Sequence, residues 1–169
     1  METEIIHGAG SWPAEIALRP ERPEDDSFLA EVYASTRQDE LNLTNWDAAT
    51  RSAFLAMQFK AMRQGYQSSF PEGQFSIILA DGSPVGRVVV NRADAEIRVV
   101  DIVLLPVHCG LGIGTKLMEG FKAEAARARK PLRLCVFQGT RAVGFYRRLG
   151  FLPVGAAGAY QEMEWRPPF

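Results

Sequence analysis

The sequence predicts an α+β fold, a mixed β-sheet covered by helices, formed as one domain. Three observations point to it. The elements run strand, two helices, three consecutive strands, helix, strand, helix, two strands. The stretch from Glu96 to Leu105 holds Ile97, Val99, Val100, Ile102, Val103, Leu104 and Leu105, leaving little room for a solvent face, so it belongs at the sheet centre. The step from that strand through a helix to Leu132 demands a parallel, right-handed crossover. Function is then expected at the carboxyl end of the central strand. At 169 residues and 47% hydrophobic, the chain can bury one sizeable core but is too short for two ordinary domains.

Residues 1–13 carry no long apolar stretch and read as a loose tail that is neither a signal peptide nor a membrane helix. The domain is expected over 14–169. Ile16 to Leu18 forms a short strand. Pro20 and Pro23 force a turn, and Glu24-Asp25-Asp26 suits the positive end of a helix running to about Ser35, with Phe28, Leu29, Val32 and Tyr33 on one stripe. A second helix starts near Asp47, continues through Phe54, Leu55, Phe59 and Met62, and is expected to end at Gly65 and Pro71. Phe75 to Ala80 and Val85 to Asn91 make a hairpin about Asp81-Gly82-Ser83-Pro84. Past the central strand, Leu117, Met118, Phe121 and Ala125 mark a helix from Gly114 to about Arg129, and Leu132 to Phe137 a strand. Arg141 to Leu149 is a shorter helix stopped by Gly150, and Phe151 to Ala156 and Tyr160 to Trp165 close the chain as strands.

Lys plus Arg number 19 against 20 Asp plus Glu, so no charge excess points to nucleic acid, and no segment points to a membrane. Cys109 and Cys135 stand in unrelated contexts without CxxC spacing, which suits a reduced, cytoplasmic chain. His7 and His108 offer no metal-ligand spacing, and no metal is expected.

The central strand leads into Pro106-Val107-His108-Cys109-Gly110-Leu111-Gly112-Ile113-Gly114-Thr115-Lys116, a glycine-rich turn opening onto a helix. Glycines let backbone approach a phosphate, and the unbonded N–H groups at a helix start attract it. Thr115 separates Gly114 from Lys116, so a Walker A loop fails. A dinucleotide fingerprint would need glycine or alanine at Thr115 and an acidic residue where Gln138 stands. On the glycines alone, a tight strand-to-helix connection serves equally well.

The run from Leu104 to Gly114 resembles the acetyl-CoA motif of the GNAT superfamily (Gln or Arg, two residues, Gly, one residue, Gly or Ala), here beginning at Cys109. Phe145-Tyr146-Arg147-Arg148-Leu149-Gly150-Phe151 resembles the family's second signature, a helical tyrosine followed by Gly-Phe. The resemblance covers Ala14 to Trp165. It implies a GNAT fold, a mostly antiparallel sheet of six to seven strands flanked by four helices. It also implies acetyl transfer from acetyl-CoA to an amine of a small molecule or peptide by direct attack in a ternary complex, and it admits a homodimer. The cofactor would meet Ile102, Val103 and Leu104 on the strand, Cys109, Gly110, Leu111, Gly112, Ile113, Gly114 and Thr115 at the turn, and Thr140. Cys109 replaces the usual Gln or Arg, and Thr140 or Gly139 the asparagine often found before the tyrosine. Those two changes motivate the alternative of a non-catalytic acetyl-CoA-binding regulatory module.

Transfer to an amine needs a base, an oxyanion donor and an acid, because an alkylamine with a pKa of about 10.4 is charged at neutral pH and a thiolate of about 8.5 leaves better protonated. The resemblance makes Tyr146 the acid, although a tyrosine on such a helix also packs into cores. Asp101 interrupts the apolar strand on the face of Val99, Val103 and Leu105 unless a bulge intervenes. It is either the base or half of an ion pair with Arg98 or Arg87. Glu96 is the reserve base. A backbone N–H near Leu104, where the family's strand carries a bulge, is the expected oxyanion donor. Acceptor contacts are expected from the first two helices and last strands, with Trp46 and Gln58 foremost and Phe54, Tyr66 and Tyr160 beside them.

Overall fold

The computed structural model describes residues 4–6 and 15–168. In chain order the elements are β1 (Glu4–Ile6), β2 (Ile16–Pro20), α1 (Asp26–Asn42), α2 (Ala48–Ser69), β3 (Gln74–Ala80), β4 (Ser83–Arg92), β5 (Ile97–Leu104), α3 (Ile113–Ala128), β6 (Leu132–Phe137), α4 (Arg141–Arg148), β7 (Leu152–Ala157) and β8 (Tyr160–Trp165). The strands form one sheet in the order β1-β2-β3-β4-β5-β6-β8-β7. Among the described residues only β5 and β6 run parallel, so the mixed, mostly antiparallel sheet and the four α-helices found there are as expected. The eighth strand is β1, paired antiparallel with β2 through Ile5↔Ala17, where the sequence suggests only a loose tail. His7 lies outside the described residues.

Helix boundaries move for identifiable reasons. A 3-10 turn at Pro23–Asp25 precedes α1 because the Asp25 carboxylate accepts the Arg22 N–H at 2.8 Å and is gripped by Arg19 at 2.7 and 2.8 Å. Those bonds hold the Asp25 carboxyl below its ordinary pKa, Arg19 contributing most. The helix runs seven residues past Ser35 because Leu41 buries its side chain while the charged face between stays in solvent. Asp47 caps α2, accepting the Thr50 N–H at 2.7 Å. Gly65 does not end that helix, which runs on to Ser69; Phe70 is its C-cap and Pro71 follows.

The main core lies between the sheet and α3, where Leu117, Met118, Phe121 and Ala125 pack on Val88, Val90, Val99 and Leu134. Each large side chain there contributes about 1.5–3 kcal/mol on burial. Helices α1 and α2 cover β4 and neighbouring strands on the opposite face, where α1 buries Leu29, Val32 and Tyr33. Helix α2 has no fully buried residue. Among the described residues, no helix is long and apolar enough to cross a membrane.

Two irregularities shape the centre of the sheet. Val99 pairs with Val90 and Asp101 with Val89, so Val100 is an extra residue that bulges β5. The bulge lies there, not near Leu104 as the family pattern suggests. It sends Val99, Ile102 and Leu104 to the α3 face and turns Asp101 and Val103 to the face of Arg87 and Val89. Meanwhile β5 pairs with β6 only through Ile97↔Leu132, Arg98↔Arg133 and Val99↔Leu134; beyond that the two strands part. On the other side β5 stays bound to β4 because Gly86 has no Cβ, which would stand 2.1 Å from the Val103 carbonyl oxygen.

Candidate active site

The parting of β5 and β6 opens a cleft of about 740 Å³ on the α3 and α4 side. Its walls are Ile102 and Leu104 on one bank and Phe145 and Tyr146 on the other, with the glycine turn across one end. After a 3-10 turn at Pro106–His108, Gly110 and Gly112 adopt φ of +76° and +81°, a left-handed conformation that other residues adopt only with strain. Gly112 precedes α3 without a side-chain cap, and the first α-helical bond of the turn is Lys116 N–H to the Gly112 carbonyl. The amides of Ile113, Gly114 and Thr115 therefore have no α-helical acceptor and stand at the positive end of the helix dipole, a place that favours an anion. A Cβ at Gly114 would stand 3.5 Å from Phe145, an ordinary contact, so α3 meets α4 at the floor of the cleft there.

Arg141 and Arg148, both solvent-exposed, add two guanidinium groups to the cleft lining. The motifs read from sequence do not single them out. The signal is present all the same, since Arg141, Phe145 and Arg148 follow an i, i+4, i+7 spacing on α4. Together with the helix terminus they favour a polyanionic ligand at this end.

Tyr146 is 8% exposed, with its ring edge-on to Phe145 at 5.1 Å and Phe151 at 5.7 Å. Burial, assisted by the Asp101 charge, pushes its hydroxyl up to about 12, so it stays protonated through the neutral range. Asp101 is excluded from the cleft by the bulge. It lies under α2 beside Tyr66 and Met62, where Arg87 Nη2 and Nε reach its Oδ2 at 2.9 and 3.1 Å. The pairing with Arg87 is realised, that with Arg98 is not. Burial raises the Asp101 carboxyl above its ordinary value of 3.8, with Arg87 opposing it.

Of the residues singled out from sequence, Ile102, Leu104, Cys109, Gly110, Gly112, Gly114, Thr115 and Tyr146 come together in the cleft. Val103 does not, because the bulge puts its side chain on the Arg87 face. Ile113 is buried in the core and presents only its backbone amide at the helix start. Leu111 lines a separate dent with His108 and Asp81. Thr140 turns its hydroxyl to the Phe137 carbonyl at 2.8 Å, closing the turn before α4. Cys109 is exposed, its sulfur 3.6 Å from the Leu105 carbonyl oxygen. Glu96 is held by Arg98 at 2.7 Å and Arg133 at 3.0 Å, away from the cleft. Trp46 packs edge-on against Phe54 at 5.0 Å, and Gln58 accepts from the Tyr33 hydroxyl at 3.3 Å, so both serve the α1–α2 pair instead of the cleft wall.

A family model for the acetyltransferase (GNAT) domain matches residues 71–153, from the turn before β3 into β7. Among solved structures, the PaiA N-acetyltransferase from Thermoplasma acidophilum in complex with coenzyme A is similar at a TM-score of 0.64. It is 21% identical over 89% of this chain and 98% of its own. An acetyltransferase from Thermus thermophilus gives 0.65 at 17% identity, covering 89% and 96%. PH1933 from Pyrococcus horikoshii OT3 gives 0.68 at 18% identity, covering 92% and 100%. No functionally curated protein matches the sequence.

Proposed function

The chain belongs to the GNAT superfamily, and from that premise we propose that it is an N-acetyltransferase carrying an acetyl group from acetyl-CoA to an amine within a ternary complex. One observation carries the proposal. A single cleft joins an anion-binding helix start and two arginines at its mouth to a buried, protonated tyrosine in its wall. The open amides of α3 with Arg141 and Arg148 suit the phosphates of coenzyme A, and Ile102 and Leu104 offer backbone to the acyl end. A side chain at Cys109 is not needed for this, since the two arginines of α4 supply the charge.

The amine approaches from the α2 face, on which Asp101 lies. Its neutral nitrogen forms the C–N bond as the thioester C–S bond breaks. Asp101 takes the N–H proton, and Tyr146 gives the departing sulfur a proton; both groups re-equilibrate with solvent. A carboxylate raised by burial is a stronger base than an exposed one, and the Arg87 charge beside it opposes that rise.

Calorimetric titration with acetyl-CoA tests the binding half. Saturable one-to-one binding is expected, weakened roughly threefold to tenfold in Arg141→Ala/Arg148→Ala and less sharply so at high salt. No binding at millimolar acetyl-CoA would sink the proposal. The pH profile of kcat tests the base. Asp101 acts only when ionised, so kcat should fall as pH drops through its pKa, at a midpoint above the ordinary 3.8, and Asp101→Asn should abolish that limb. An acid limb that survives in the variant would assign the base elsewhere.

A further inference from the structure

From the α2 face, we infer that the acceptor is a monoamine borne on an aromatic or other flat apolar body, which packs on Phe137 and Tyr160 while its nitrogen reaches Asp101. The inference deepens the acetyltransferase proposal and rests on it. Register fixes the surface. Along β6, Leu132, Leu134 and Val136 enter the core, so Arg133, Cys135 and Phe137 face the opposite side, where Asp101 also lies. Phe137 pairs with Tyr160 across β6 and β8, and their rings meet edge-on at 5.4 Å. Both are 51% exposed, an aromatic pair with half of its surface open to solvent. Tyr66 of α2 stands beside Asp101 on this same face.

The charges on this face point to a monoamine. Glu96, Arg98, Arg133, Glu162, Glu164 and Arg166 form one closed ladder, three acids to three arginines. Arg98 meets Glu96 and Glu162 at 2.7 Å, Arg133 meets Glu164 at 2.7 Å, and Arg166 closes on Glu164. Asp101 is matched by Arg87. Every one of these carboxylates already has a cationic partner, so none is left to anchor a second positive charge. Affinity must therefore come from apolar contact with the exposed rings.

The test is calorimetric titration of the full chain, with and without coenzyme A, using phenylethylamine, spermidine and a lysine peptide. Phenylethylamine should bind at least about tenfold tighter than the other two. Phe137→Ala and Tyr160→Ala should each weaken it roughly fivefold to tenfold, with coenzyme A affinity unchanged. Because both side chains are surface residues, circular dichroism should show folded variants. Tighter binding of spermidine or the peptide would overturn the inference, as would parental phenylethylamine affinity in both variants or no phenylethylamine binding at all. Failure to bind coenzyme A would sink the transfer proposal separately, since the titration without it still decides the amine surface.

Discussion

Tyr146→Phe should lower kcat by about 10²–10⁴-fold while leaving acetyl-CoA affinity within about twofold of the parent. The ring would keep its edge contacts with Phe145 and Phe151, so the cleft wall would stay in place. What disappears is a proton that burial holds on the hydroxyl up to about 12, so that it is present throughout the neutral range. A thiolate leaving without that proton must wait for water, and the loss belongs to the transition state alone. Equal falls in kcat and kcat/KM would fit this role; unchanged kcat would remove Tyr146 from the mechanism.

The second large effect is on stability. Arg87 is 3% exposed and supplies the charge facing Asp101, so Arg87→Leu strands a carboxylate under α2. Breaking such a pair from one side costs about 3–5 kcal/mol. Removing the cation also raises the Asp101 pKa further above its unfolded value. A group raised on folding contributes its stability below the unfolded pKa and loses it as pH climbs through the folded one. The variant should therefore be least stable at neutral pH and recover on acidification below the raised folded pKa. Urea unfolding at several pH values would show this, and Arg87→Leu/Asp101→Asn should regain much of the loss. A penalty independent of pH would mean that lost packing against Phe59 and Tyr33, whose rings lie 5.7 and 6.0 Å from the guanidinium, outweighs the charge.

How much of this is legible in the sequence depends on the range of the interaction responsible. The central strand, the glycine turn and the helix bearing Tyr146 are local patterns, and each stands where its residues predict. Gly110 and Gly112 are fixed by positive φ, a backbone requirement that sequence states directly. Asp101 shows the limit. Counting by twos along β5 puts it with Val99, and one extra residue at Val100 reverses that, because register belongs to the pairing with β4. The same bulge displaces Val103 from its expected place. Residue type draws Trp46 and Gln58 toward the acceptor site, but Phe54 and Tyr33 claim them first, and only packing decides between two polar-aromatic neighbours. Tyr66, expected beside them, stands next to Asp101, and Tyr160 lies with Phe137 across β6 and β8.

Three residue pairs between β5 and β6 are the entire ladder joining the first five strands to the last three. The sheet is in effect two plates sharing a short hinge line, with α3 laid against both. Any ligand touching Leu104 on one plate and Tyr146 of α4, which packs beside β6 of the other, is a cross-brace between them. Occupancy and folding stability are then two readings of one quantity, linked by mass action. The seam that gives the chain its site is also the line across which a bound ligand adds a contact.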